Sequence, residues 1–238
     1  MIRLPETIKH LIIINVLFFV ATMAIQNFDL FELFTLHYFE HPKFRIWQLI
    51  TGIFMHGSIS HLFFNMIGLY FLGTPMLQLW GKNRFLFFYL SAGIGASLIF
   101  LLERQLEFQN AMSELLAMGA TKEELYGLFS DTKSFQNPIM ETANRIYGTR
   151  LLGASGAIFG LLAAFGWYFP NAKIYLYFFI PITVKYFVPV VVLADLISGL
   201  TGVPILSPVN VAYFAHVAGA VIGLIIAYVW KKNQHRMY

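Results

Sequence analysis

The chain has 238 residues, of which 58% are hydrophobic, 17% aromatic and only 12% charged, and its mean hydropathy is +0.67. That charged share is about half of what a soluble domain carries, so a soluble fold and a disordered chain are excluded and the polypeptide belongs in a membrane. Net charge is +4, but no basic run is long enough to make a nucleic-acid surface, and the absence of Cys excludes disulfides, thiolate nucleophiles and Cys-based metal sites.

Apolar stretches at 8–26, 58–80, 84–102, 153–169, 184–200 and 209–230 predict an all-α membrane protein with six spanning helices of about 20 residues each, in one domain covering 1–238. The first follows Arg3 and Lys9 and has no A-x-A cleavage site, so it reads as an uncleaved helix rather than a signal peptide. Gly81-Lys82-Asn83-Arg84 makes a short turn between the second and third spans. Segment 103–150 alone has soluble-protein composition and predicts a helical insertion between spans three and four. Within it, Leu106, Met112, Leu115, Leu116 and Met118 mark an amphipathic helix ending at Gly119. Thr121-Lys122-Glu123-Glu124 is a capping box ahead of Leu125, Leu128 and Phe129. The insertion reads either as a self-packed or membrane-surface decoration or as a cap that contacts substrate. An interfacial stretch over 172–182 keeps Lys185 at the membrane boundary, and Pro181 and Pro189 begin or kink the fifth helix.

With the N-terminus inside, the cytoplasmic segments hold Arg3, Lys9, Lys82, Arg84, Lys173, Lys185, Lys231, Lys232 and Arg236 against Glu6 alone. The other side holds Lys43, Arg45, Arg104, Lys122, Lys133, Arg145 and Arg150 against ten acids. This bias predicts a plasma or inner cell membrane protein with cytoplasmic termini and an extracytoplasmic insertion.

Polar side chains inside spans are costly in hydrocarbon unless partnered, so they mark the candidate chemistry. His61 and Asn65 lie four residues apart on one helix face, with His56 off that face and nearer the surface. Such a pair serves either as interhelical glue or as a set of hydrogen-bond donors. Ser155, in Gly153-Ala154-Ser155-Gly156, opens the fourth span, where free backbone N–H groups favour a developing anion; Gly156 and Gly160 read equally well as a helix-packing face. His216 lies within the sixth span, and Gly219 and Gly223 would let that helix approach the fourth. Taken together these groups supply a nucleophile, a base and anion donors at compatible depth, as acyl transfer requires, with no metal or other cofactor. HExxH is absent, which removes a metalloprotease.

Three motifs, HxxxxHxxxN at His56, His61 and Asn65, GxSG at Gly153, Ser155 and Gly156, and AHxxGxxxG from Ala215 to Gly223, resemble those of the rhomboid intramembrane serine proteases, in order and over essentially the whole chain. The resemblance implies a six-helix rhomboid-like bundle, transmembrane proteins as substrates and a Ser–His dyad without a catalytic acid. Ser155 would attack the scissile carbonyl and His216 would act as base and then acid. His61, Asn65 and the Ser155 N–H would stabilise the oxyanion. Gly153, Gly156 and Gly219 would support the site, and Phe159 stands where the family commonly has a Tyr stacked on the catalytic His.

The chain departs from the family at Trp47-Gln48, where a Trp-Arg pair is usual, and in the length of its insertion. Asp195 reads as an acid paired with loop backbone at a span end rather than as a triad member, so Asp195→Asn is expected to leave substantial activity. Ser155→Ala and His216→Ala are each expected to abolish cleavage with little loss of stability. The competing readings are a non-catalytic rhomboid relative that binds membrane clients, and a transporter, which the absence of an evident two-fold repeat of spans disfavours.

Overall fold

The computed structural model describes residues 4–25, 29–129, 133–176, 179–206 and 212–234. Arg3, Asp131 and Arg236 of the charge count, residue 26 of the first predicted span, residues 177–178 of the interfacial stretch and residues 209–211 of the last span lie outside them. The described chain runs α1 (Glu6–Ala24), α2 (Leu30–Phe34), β1 (Leu36–His37), α3 (Gln48–Thr51), a 3-10 turn (Gly52–Phe54) and α4 (Ile59–Ala117). It continues through α5 (Lys122–Leu128), α6 (Pro138–Tyr147), β2 (Arg150–Leu151) and α7 (Ser155–Tyr168). A hairpin of β3 (Lys173–Leu176) and β4 (Ile180–Thr183) then leads to α8 (Val184–Thr201) and α9 (Tyr213–Gln234).

Helices α1, α4, α8 and α9 are long and apolar enough to cross a membrane, and α7 is a shorter apolar helix. Most side chains of α1 face outward although the helix is apolar all round, with only Ile8, Leu11 and Asn15 buried. A helix of that kind is stable only with hydrocarbon outside it. The 59-residue α4 breaks at Gly81, whose φ of 74° and ψ of 170° lie outside helical space, so the predicted turn at 81–84 shrinks to one residue between two helical arms. The second arm does not stop near 102. It absorbs the amphipathic helix predicted separately and ends in a Schellman turn, with Gly119 at φ 95° and the N–H groups of Gly119 and Ala120 donating to the carbonyls of Leu116 and Leu115.

Segment 103–150 builds a second core with the loop after α1: Leu36, Tyr38, Phe108, Met112, Leu125 and Ile146 are all buried together. Tyr126 donates to Glu40 and Tyr38 to Gln105 across that boundary. Burial pushes the Tyr38 and Tyr126 hydroxyls above the ordinary tyrosine range, with Glu40 adding to the effect. The Thr121–Glu124 capping box forms as expected. Helix α6 was not anticipated, although Asn137-Pro138 is a helix-start signal: Asn137 Oδ1 accepts from the N–H groups of Ile139 and Met140, and Pro138 fits the first helical position.

The expected interfacial stretch is the β3–β4 hairpin, with Lys173 paired to Thr183 and Ile174 to Ile182. Pro181 therefore lies in β4 rather than at a helix start, while Pro189 falls inside α8. Helix α7 is the innermost element, with Gly156, Ala157, Ile158, Gly160 and Leu161 all buried. A Cβ on Gly219 would lie 2.0 Å from the Gly156 carbonyl oxygen and one on Gly223 would lie 2.5 Å from Gly160 Cα, so α7 and α9 touch backbone to backbone along two glycine pairs.

Candidate active site

The site is assembled around the N-terminus of α7. Antiparallel pairing of β1 with β2 sets Leu36 against Leu151 and His37 against Arg150. The Tyr38 N–H donates to Thr149 O at 3.3 Å, and the Gly153 N–H donates to Gly52 O at 2.9 Å. These bonds deliver the chain to Ser155, the first residue of α7. The residue before the helix, Ala154, offers no side-chain cap. The first N–H groups of the helix are thus left to face whatever occupies the site, at the positive end of the helix dipole.

The loop that carries β1 is held by Gln48, which is 1% exposed and uses all four of its hydrogen-bonding positions. Its Oε1 accepts from the N–H groups of His37 (3.3 Å) and Arg45 (3.0 Å). Its Nε2 donates to Leu33 O (3.2 Å) and Lys43 O (3.0 Å). A neutral amide therefore anchors the loop at the position where the family pattern has Arg.

His61 and Asn65 lie on the first arm of α4, whose start is fixed by Ser58 Oγ accepting from the His61 N–H at 3.1 Å. The His61 ring packs directly on Gly153: a Cβ there would fall 2.7 Å from Cε1 and Nε2 of His61 and 3.7 Å from Asn65 Nδ2. Gly153 has φ 113°, so this cradle needs glycine both for space and for backbone. Asn65 is buried, and its Nδ2 donor has no hydrogen-bond partner among the described residues. A buried amide left unpaired is costly and calls for an explanation. His56 sits edge-on to His61, with ring centroids 5.0 Å apart.

His216 lies on α9, buried, with its ring stacked on Phe159 at 4.1 Å and 14° between planes. Phe159 is one turn along α7 from Ser155, and the Gly156–Gly219 contact holds the two helices together beside it. No hydrogen bond joins Ser155 to His216 among the described residues. In resting hydrolytic sites such bonds are often long and tighten only when substrate binds.

The structure places Asp195 differently from the sequence reading. It is fully buried on α8, and its Oδ2 lies 2.7 Å from Nδ1 of His216 rather than serving loop backbone alone. The expectation that His216→Ala leaves stability intact changes with it, because that variant removes a 2.7 Å partner from a fully buried carboxylate. No sequence signal marks this pair: the two residues stand 21 apart, on different helices, and meet only through tertiary packing. Among the described residues there is no cluster of His, Cys, Asp and Glu able to hold a metal ion.

Comparison with known proteins matches residues 43–233 to the Rhomboid domain. A mitochondrial rhomboid protein of Schizosaccharomyces pombe is 27% identical over 79% of this chain and 53% of its own length. The mitochondrial RHOMBOID-like protein 12 of Arabidopsis thaliana is 28% identical over 92% of this chain and 57% of its own. Rhomboid protease AarA of Providencia stuartii is 25% identical over 80% of this chain and 58% of its own. The chain thus spans somewhat more than half the length of these relatives. The mitochondrial names of the first two overturn the assignment to a plasma or inner cell membrane, since Lys/Arg bias orients a chain in a bilayer and carries no address for which bilayer. A multi-pass membrane protein with this matched domain and this fold belongs to the rhomboid family.

Proposed function

We propose that the chain is an intramembrane serine endopeptidase that cleaves transmembrane segments of other membrane proteins. In this reading α1, the two arms of α4, α7, α8 and α9 are six crossings of a mitochondrial membrane, forming one domain, and the site opens on the face away from the termini. Ser155 Oγ attacks the scissile carbonyl while His216 Nε2 takes its proton. The oxyanion is met by the Ser155 N–H, the Asn65 amide and His61. Collapse of the tetrahedral intermediate returns the proton from His216 to the leaving amine.

The observation that carries the reading is the Asn65 amide donor, buried and unpaired beside the His61 ring and Gly153. A donor held ready for charge that exists only in the transition state is how oxyanion stabilisation works, and one such donor contributes roughly 2.7–4 kcal/mol. The match to a protein named as a rhomboid protease supports the same activity. The test is cleavage of a model transmembrane substrate in proteoliposomes. Wild type is expected to cut it and Ser155→Ala to be inert at unchanged thermal stability. Equal product from both would overturn the proposal.

A further inference from the structure

The buried Asp195–His216 contact is unused by a two-residue mechanism. The imidazole of His216 is constrained twice: stacking on Phe159 at 4.1 Å sets the plane of the ring, and the 2.7 Å contact from Nδ1 to Asp195 Oδ2 sets its rotation within that plane. Both residues are withdrawn from solvent, the His216 side chain at 8% exposure and the Asp195 side chain at 0%. Gly199, one turn beyond Asp195 on α8, admits the Phe214 ring to 3.0 Å from where a Cβ would stand, which closes α8 onto α9 at that level.

An ionised carboxylate can only accept hydrogen bonds, so Nδ1 beside it must carry the proton, and the neutral ring then presents its lone pair at Nε2. We infer that Asp195 is a positioning residue which completes a Ser155–His216–Asp195 array across α7, α9 and α8. This rests on the protease reading and adds to it a third group. As Ser155 Oγ forms its bond to the scissile carbonyl carbon, the Oγ proton moves to Nε2. The imidazolium so formed stays bonded through Nδ1–H to the Asp195 carboxylate, which does not itself take the proton. The Nε2 proton then leaves with the amine as the C–N bond breaks. Asp195 touches neither substrate nor reacting atoms; it selects the tautomer and holds the ring against the positive charge that His216 acquires in transit.

Two measurements test this, and the first needs no turnover, so its failure is separable from failure of the protease reading. In wild-type protein carrying 15N-labelled histidine, the His216 signals, identified by their loss in His216→Asn, are expected to show a protonated Nδ1 and a bare Nε2. A bare Nδ1 overturns the assignment. The second compares Asp195→Asn, which keeps the shape, with Asp195→Glu, which keeps the charge. The expected outcome is a fall in kcat of about 10²-fold or more for Asn at unchanged KM and Tm, the scale of general-base catalysis, with a smaller loss for Glu. A role in packing alone gives the reverse order, because the isosteric amide fits and the longer acid does not. Asn within threefold of wild type therefore also overturns the proposal, and if Asn fails to fold, the tautomer pattern of wild type decides it.

Discussion

Gly219→Ala is the sharpest probe of how the helices position the site. The new methyl would lie 2.0 Å from the Gly156 carbonyl oxygen, 2.7 Å from its carbonyl carbon and 3.1 Å from its Cα. All three are backbone atoms of a buried helix, so no side chain can rotate away. Moving the closest contact from 2.0 Å out to about 3.0 Å, the shortest distance real Cβ atoms tolerate, separates α9 from α7 by about 1 Å at the turn that carries His216. Overpacking of that kind costs roughly 1–3 kcal/mol. A misplacement of about 1 Å between catalytic groups lowers turnover by about 10²-fold.

The assay is cleavage of a transmembrane substrate in proteoliposomes, well below the melting temperature, alongside thermal unfolding. The contrasting variant is Gly95→Ala. There the nearest atom, at 2.4 Å, is Cδ1 of Ile222, the far end of a flexible side chain, so a rotamer change absorbs the methyl and activity stays within a few-fold. Gly219→Ala with wild-type Tm and activity within twofold would refute the reasoning that backbone contact sets the separation of Ser155 and His216, the proposed nucleophile and base.

Gly153→Ala is expected to abolish cleavage, because its φ of 113° and the 2.7 Å approach to the His61 ring strain both backbone and donor; retained activity would show that His61 is not held by that contact. Gly127→Ala is expected to raise stability by about 0.5–1 kcal/mol in thermal unfolding without changing turnover, since the site is helical and nothing lies within 4 Å of the new methyl. Thr121→Ala should open the start of α5, with roughly fivefold faster amide exchange over 122–128, the scale of a lost cap. The Glu124 carboxyl is held below the usual 4.5 by hydrogen bonds from the Thr121 N–H and hydroxyl. The wild-type cap is therefore intact above that value and lost as pH falls below it through the depressed folded value, which the same amide resonances report.

Much of the architecture was legible because hydrocarbon imposes simple rules on sequence. The apolar runs that became α1, α7 and α8 begin and end within about two residues of where their polar flanks place them. The glycines at 156, 160, 219 and 223 face each other because only they permit backbone contact between membrane helices. The Thr121 cap was legible since capping is local.

The illegible features depend on tertiary context. The continuous second arm of α4 carries an apolar run straight into an amphipathic helix, and a change of pattern along one helix reads in sequence as two. The β3–β4 hairpin hides in a short apolar run whose length suits either state. Gln48 could not be read as the hub of its loop, because its four partners are backbone groups brought in by the fold. The role of Asp195 is hidden for the same reason, as its partner is decided by how α8 leans on α9.

The most direct measurement is the mass and location of a fluorophosphonate adduct on the folded protein. A single modification is expected on Ser155 of wild type, none on Ser155→Ala, and a greatly slowed reaction with His216→Asn. Unmodified wild-type protein under conditions where it remains folded, or an adduct on any other residue, would contradict it.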